Sequence, residues 1–253
     1  MPSGNSDRLL NHMTKVAAKM TDDTASRTLK PRDSATLVIL DRSSRAPKVL
    51  MGRRHVNQSF MPGKFVFPGG SVEPSDRRMP VAGALSTRAE DALFKKVSRP
   101  SYTRNRALAL SAIRETYEET GLMIGTKQYG APEAPENSLW QAFGKAGIYP
   151  DIEQLSFVAR AITPPGLIRR FDTRFFAVDR KAVAEEQGGF VGPDSELTEL
   201  IWISLKEAND LEMAPVTRTI IDELRQRIAN GMSELLPVPF YHVRYGKAVR
   251  ETL

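Results

Sequence analysis

Apolar residues alternate with or run between polar ones in a way that predicts elements along most of the chain. Ala35–Asp41 and Lys48–Arg53 are β-branched, apolar runs separated by the turn-rich segment Arg-Ser-Ser-Arg-Ala-Pro, which predicts a β-hairpin. Lys64–Phe67 predicts a third short strand, stopped by Pro68-Gly69-Gly70. From about Thr103 to Thr120 the apolar positions Ala109/Leu110, Ile113 and Tyr117 recur at three and four residues, the period of a helix, and Gly121 stands where a C-terminal cap is wanted. Thr87 and Glu90 have capping-box spacing ahead of Ala92, Leu93 and Val97, which predicts a further helix there. Ser138–Gly147 reads as a short helix, Ser156–Thr163, Asp172–Val178 and Glu199–Ile203 as strands. A last helix spans about Val216–Asn230, with Ile220, Leu224 and Ile228 at four-residue spacing before Gly231. The N-terminal segment predicts a short helix near Leu9–Met20, then a polar linker to about Asp33. Hairpin, strand, helix, strands and helix in that order imply one α/β domain whose mixed sheet lies between helices.

Composition narrows the chemistry. With 253 residues and 41% apolar content, the chain is long enough for a full core. It contains no cysteine, which excludes disulfides, thiolate metal sites and thiol nucleophiles, and fits a reducing, cytoplasmic setting. Its three histidines, His12, His55 and His242, lack metal-ligand spacing. No apolar run approaches the 18 or more residues that a membrane span needs, and the N-terminus has no apolar signal-peptide core.

The strongest chemical signal is Arg114-Glu115-Thr116-Tyr117-Glu118-Glu119-Thr120-Gly121-Leu122. Glu115, Glu118 and Glu119 stand at i, i+3 and i+4, so three carboxylates share one helical face. Such like charges repel and raise one another's pKa, and a hard cation relieves the repulsion. Arg114, four residues before Glu118, can hold one of them. A solvated acidic face paired with Arg114 is the alternative. Just upstream, Phe67-Pro68-Gly69-Gly70 ends a buried strand with two glycines, which let backbone approach a ligand or turn a carbonyl toward a metal; a simple turn is the alternative.

These residues resemble the signature of the Nudix hydrolases, Gly-x5-Glu-x7-Arg-Glu-U-x-Glu-Glu-x-Gly-U, where U is aliphatic. Gly70-x5-Asp76 matches the first half, with Asp for Glu, and Arg114 to Leu122 matches the second. Two departures stand out: Thr116 replaces an aliphatic residue, and 37 residues, 77–113, separate the halves where the family has about seven. Val49–Arg54, Phe60–Gly63, Phe65–Asp76, Ile162–Pro165 and Arg170–Phe176 are similar to the long-insertion, coenzyme A diphosphatase-like branch, and Glu196–Ile203 resembles the family's last strand region. The resemblance implies a Nudix-type α/β/α sandwich over residues 34–230, with a partly helical insertion at about 77–102, an N-terminal extension (1–33) and a C-terminal tail (231–253).

The implied activity is hydrolysis of a diphosphate linkage in a nucleoside diphosphate derivative, coenzyme A or an acyl-coenzyme A first, with Mg²⁺ or Mn²⁺ as cofactor. ADP-ribose or another nucleotide sugar is the rival substrate, and a non-catalytic nucleotide-binding module is the rival class. By resemblance Glu118 and Glu119 hold the metal, with the Gly69 carbonyl as a further ligand. Glu115 shares the metal or serves as general base, and Arg114 orients a glutamate. Glu196 is an additional base, a second metal ligand or a plain loop acid. Arg54, Gly70, Arg104, Arg106 and Arg170 are the expected substrate contacts. A homodimer is a family-level expectation, and no membrane partner is expected.

The net charge is +6, and residues 77–113 hold eight basic against two acidic residues, so this segment accounts for the whole excess. It suggests either a basic lid that attracts a polyanionic substrate or a solvated loop. The segment's only aromatics are Phe94 and Tyr102, which weakens a nucleic-acid reading. Gly63-Lys64 is followed by Phe, so it is no phosphate-binding P-loop.

Overall fold

The computed structural model describes residues 4–18, 29–167 and 169–253. Its strands are β1 (Arg32–Asp41), β2 (Lys48–Arg54), β3 (Phe65–Val66), β4 (Gly69–Ser71), β5 (Leu122–Ile124), β6 (Ser156–Ile162), β7 (Phe171–Asp179), β8 (Val183–Glu186), β9 (Leu197–Ser204), β10 (Pro239–Arg244) and β11 (Lys247–Thr252). Its helices are α1 (Gly4–Ala18), α2 (Thr87–Phe94), α3 (Tyr102–Thr120), α4 (Trp140–Ala146) and α5 (Pro215–Ala229). The expected end of the first helix, at Met20, and part of the expected linker fall outside the described residues.

The fold is a mixed α/β sandwich. The main sheet runs β11-β10-β6-β7-β1-β2-β3, with β4 also paired to β1 and β9 to β2. β1 lies parallel to β7 and antiparallel to β2, and β6 antiparallel to β7. At the centre of β1, Leu37, Val38, Ile39 and Leu40 are all essentially inaccessible, since helices cover both faces of the strand. Alternation then sorts them. Ala35, Leu37 and Ile39 face a core shared with α2, α3 and α4, whereas Val38 and Leu40 face a second core shared with α1 and α5.

The expected hairpin forms, with Leu40 opposite Val49. Three expectations need adjustment. Pro68-Gly69-Gly70 does not end the strand region, because Gly69–Ser71 resumes as β4 against Ser34–Thr36. The N-cap of α2 is Ser86, one residue before Thr87; its Oγ accepts from the Ala89 N–H, while Glu90 turns away to accept from the Asn105 amide. Residues 231–253 carry β10 and β11, which lengthen the sheet. Tyr245 and Gly246 join these strands with φ of 50° and 75°, the doubly positive conformation that suits a two-residue hairpin turn.

α1 is docked against α5 and the terminal hairpin. Asn5 donates to Asp222 at 2.9 Å, the Ala248 N–H donates to Thr14 Oγ1 at 3.0 Å, and Ser6 meets the Tyr241 hydroxyl at 3.0 Å. That hydroxyl donates to Glu223, which also accepts from Arg250. No described helix is long and apolar enough to cross a membrane.

Candidate active site

α3 carries the acidic cluster and is anchored for it. Ser101 caps its start by accepting from the Arg104 N–H, and Gly121 (φ 77°) closes its end. Ala109, Ala112 and Ile113 are fully buried against the sheet. Those contacts fix the rotation of the helix and hence the direction of its carboxylates.

Arg114 is the hub. It is 1% exposed, and its Nε donates to Asp76 Oδ1 at 2.9 Å while Nη2 donates to the Ser71 carbonyl at 2.8 Å. It also meets Glu115 at 3.0 Å and Glu118 at 3.2 Å. Asp76 has no exposure; besides Arg114 it accepts from the Trp140 indole N–H at 3.1 Å and the Glu73 N–H at 2.8 Å. The two halves of the motif therefore meet in space across the 37-residue spacer, joined by an Asp–Arg pair. Trp140 was invisible to the motif, because its contact is made from a different helix.

The carboxylates are held away from their ordinary ionisation. Burial pushes Glu115 up to about 7, the lowering effect of Arg114 notwithstanding. Burial, then the neighbouring Glu196 and Glu115, drives Glu119 well above the usual carboxylate range. Glu118 is also raised, mainly by burial. Glu119 Oε2 accepts from the Gly69 N–H at 3.3 Å, so Gly69 enters the site through its amide. Gly70 leaves room for the Glu115 carboxylate, which a Cβ there would displace. Its carbonyl accepts from Ser34 Oγ at 2.7 Å.

Arg54 and Glu196 complete this end. Arg54 Nη2 pairs with Glu196 at 2.8 Å, while Arg54 Nε is buried with no partner. A cleft of about 490 Å³ opens beside them, lined by Arg54, Gly69, Gly70, Glu115, Glu119 and Glu196 among others. Its lining is mostly apolar and includes Phe60, Leu167, Phe171 and Phe175 together with Leu9 and Met13 of α1.

The other expected substrate contacts lie elsewhere. Arg104 makes a bidentate pair with Asp33 at 2.6 and 2.7 Å. Arg106 donates to the Arg77 carbonyl. Arg170 donates to the carbonyls of Thr163 and Leu29, binding two chain segments together. No residue of 77–113 lines the cleft. The insertion instead adds Met79, Leu85, Ala89, Ala92 and Leu93 to the core beside α3, which turns its basic side chains away from the cleft. Basic residues that the motif did not mark, His12, Lys64 and Arg169, do line it.

The donor set suits a hard divalent cation: oxygen ligands only, with carboxyls that gain by losing protons to a metal. Among the described residues, no group of three His, Cys, Asp or Glu side chains is placed to hold a metal as it stands.

No family model matches the chain. It is 27% identical over 191 residues to a Caenorhabditis elegans protein named "Putative nudix hydrolase 7", covering 71% of this chain and 53% of that one. The chain thus spans about half the length of this curated relative. A solved NUDIX hydrolase from Alicyclobacillus acidocaldarius is 26% identical, with a TM-score of 0.56, over 77% of this chain and 91% of that structure.

Proposed function

We propose, from the premise that sequence and fold support membership of the Nudix hydrolase superfamily, that this chain hydrolyses a diphosphate linkage in a nucleoside diphosphate derivative. The observation that carries this reading is the trio Glu115, Glu118 and Glu119, all with raised pKa values, of which Glu115 and Glu119 line the cleft and Glu115 and Glu118 share Arg114. A binding module would have no use for a cluster that destabilises its own fold.

Glu118 and Glu119 would hold Mg²⁺ or Mn²⁺, with Glu115 either sharing it or taking the proton of the attacking water. When bound, such an ion neutralises phosphate oxygens and lowers the pKa of water. Arg114 positions Glu115 and Glu118 by pairing with both. Arg54 holds Glu196 at the mouth of the cleft, where it serves as second base or ligand. The apolar walls accept the remainder of the substrate and exclude water around the reacting phosphates. Coenzyme A or an acyl-coenzyme A fits a cleft with one acidic end and long apolar walls, and the sequence resemblance runs to that branch.

A screen for the two phosphomonoester products, separated by chromatography, over coenzyme A, ADP-ribose, dinucleotide cofactors and capped RNA, with Mg²⁺ and Mn²⁺, tests the reading. Selective cleavage of coenzyme A supports it. Preference for ADP-ribose moves the substrate to the nucleotide sugars, and cleavage of none of them contradicts the hydrolase reading.

A further inference from the structure

We propose that the N-terminal helix belongs to the ligand site, where His12 joins Lys64, Arg169 and the start of α5 in a subsite for a second anionic group, of the phosphate-monoester class. The hydrolase reading supplies the kind of substrate; the geometry stands apart from it.

Most interior arginines of this protein are committed to partners. Arg104 holds Asp33, Arg114 holds Asp76, Arg160 holds Asp172, and Arg170 holds two carbonyls. His12, Lys64 and Arg169 differ: each lines the cleft, and none has a side-chain hydrogen bond or ion pair. They come from three separate places, α1, the segment before β3 and the segment before β7, so no local repeat of basic residues explains their meeting.

The start of α5 adds a second observation. Ala214 occupies its N-cap and offers no side-chain acceptor, and Ala214, Pro215, Val216 and Thr217 all line the cleft. The amides of Val216 and Thr217 fall in the first turn, where a helix has no internal acceptor and its dipole favours an anion. Thr217 is only 6% exposed and lines the cleft, and its hydroxyl makes no hydrogen bond within the protein. A hydroxyl without a protein partner, beside uncapped amides on the cleft wall, is a donor set open to an acceptor in the cleft.

The layering of the fold sets the distance scale. Glu115 and Glu119 belong to α3, in the helical layer on one face of the sheet, whereas α1 and α5 form the layer on the other. A ligand whose diphosphate reaches the α3 carboxylates and whose second anion reaches α1 and α5 must span the cleft. The docking of α1 through Asn5, Ser6 and Thr14 holds His12 on that wall.

The test compares adenosine 3′,5′-bisphosphate with adenosine 5′-monophosphate by calorimetry in the absence of metal, so that no turnover is involved. The wild type should bind the bisphosphate about tenfold tighter or more. The exposed-cation variant His12→Ala/Lys64→Ala/Arg169→Ala should lose that preference while keeping its affinity for the monophosphate, and Thr217→Val should weaken it in part. Arg88→Glu, in the basic insertion, should leave it unchanged. Equal affinities in the wild type, or a preference that survives the triple variant, would overturn the proposal. Turnover of coenzyme A and of 3′-dephospho-coenzyme A is measured in parallel. Hydrolysis of neither would count against the hydrolase reading alone, since the binding comparison does not depend on it.

Discussion

Two buried ionic clusters flank β1, and they are built to opposite rules. Around Arg114, one guanidinium serves Asp76, Glu115 and Glu118, with Glu119 close by, so carboxylates outnumber cations; burial first, and neighbouring carboxylates after it, raise the three glutamates. Around Arg174, three guanidinia serve two carboxylates. Arg160 grips Asp172 through two bonds of 2.7 Å, Arg104 grips Asp33, and Arg174 touches both acids. There Asp33 is held low. Burial raises Asp33, but the bonds from Arg104 and Arg174 more than offset it, and burial pulls the Arg174 guanidinium down to about 10. The first cluster opens on the cleft and lacks positive charge. The second lies away from the cleft, beside the insertion, where Arg160 also donates to the carbonyls of Lys95 and Lys96. The deficit of cations marks chemistry, and the two bidentate pairs joined by Arg174 mark architecture.

The largest effect should come from Arg114→Ala, which leaves the buried Asp76 without its cation. Chemical denaturation should show a loss of about 3–5 kcal/mol, with turnover abolished. Stability within about 1 kcal/mol of the wild type would deny Arg114 its role as hub. Asp172→Asn should destabilise by a comparable amount, but turnover per folded molecule should stay within about threefold. A large specific loss of turnover would erase the functional contrast between the clusters. Next is pH. Glu115 rises from an ordinary 4.5 to about 7 in the folded protein, so the native state holds a proton that the unfolded chain releases. Its contribution is full below about pH 4.5 and lost as pH climbs through about 7, on the order of 3 kcal/mol as an upper bound. Metal-free Glu115→Gln should lack that decline in thermal melts; a parallel decline in both proteins would refute the assignment. The smallest effect belongs to the insertion. Arg88→Glu and Arg99→Glu should leave KM within about twofold at low and physiological salt, whereas a salt-dependent rise would restore the basic-lid idea.

Much of the site was legible because it depends on local spacing. Glu115, Glu118 and Glu119 share a helical face by arithmetic, and Gly70 with Asp76 marked the partner segment despite the long interruption. The fold class followed from the apolar periods of β1, α3 and α5. The sequence could not show which cations reach the cleft. Arg104 and Arg170 occur in the right stretches, but their partners, Asp33 and the carbonyls of Thr163 and Leu29, are set by strand pairing and loop closure. His12 comes to the cleft that Lys64 lines through the docking of α1, a long-range contact with no sequence period. The terminal hairpin carried a usable signal in Tyr245-Gly246 between β-branched and aromatic positions. Short β5 and β8, of three and four residues, carried almost none.

The central claim, that the α3 carboxylates work with a divalent cation to hydrolyse a diphosphate, is tested most directly by titrating Mg²⁺ into the wild type and Glu119→Gln side by side with a coenzyme A substrate. The wild type should show turnover that saturates with Mg²⁺ and vanishes in excess chelator. The variant, folded by circular dichroism, should remain about a thousandfold slower or worse at saturating metal. Full wild-type turnover in chelator, or a variant within about tenfold of the wild type, would contradict the account.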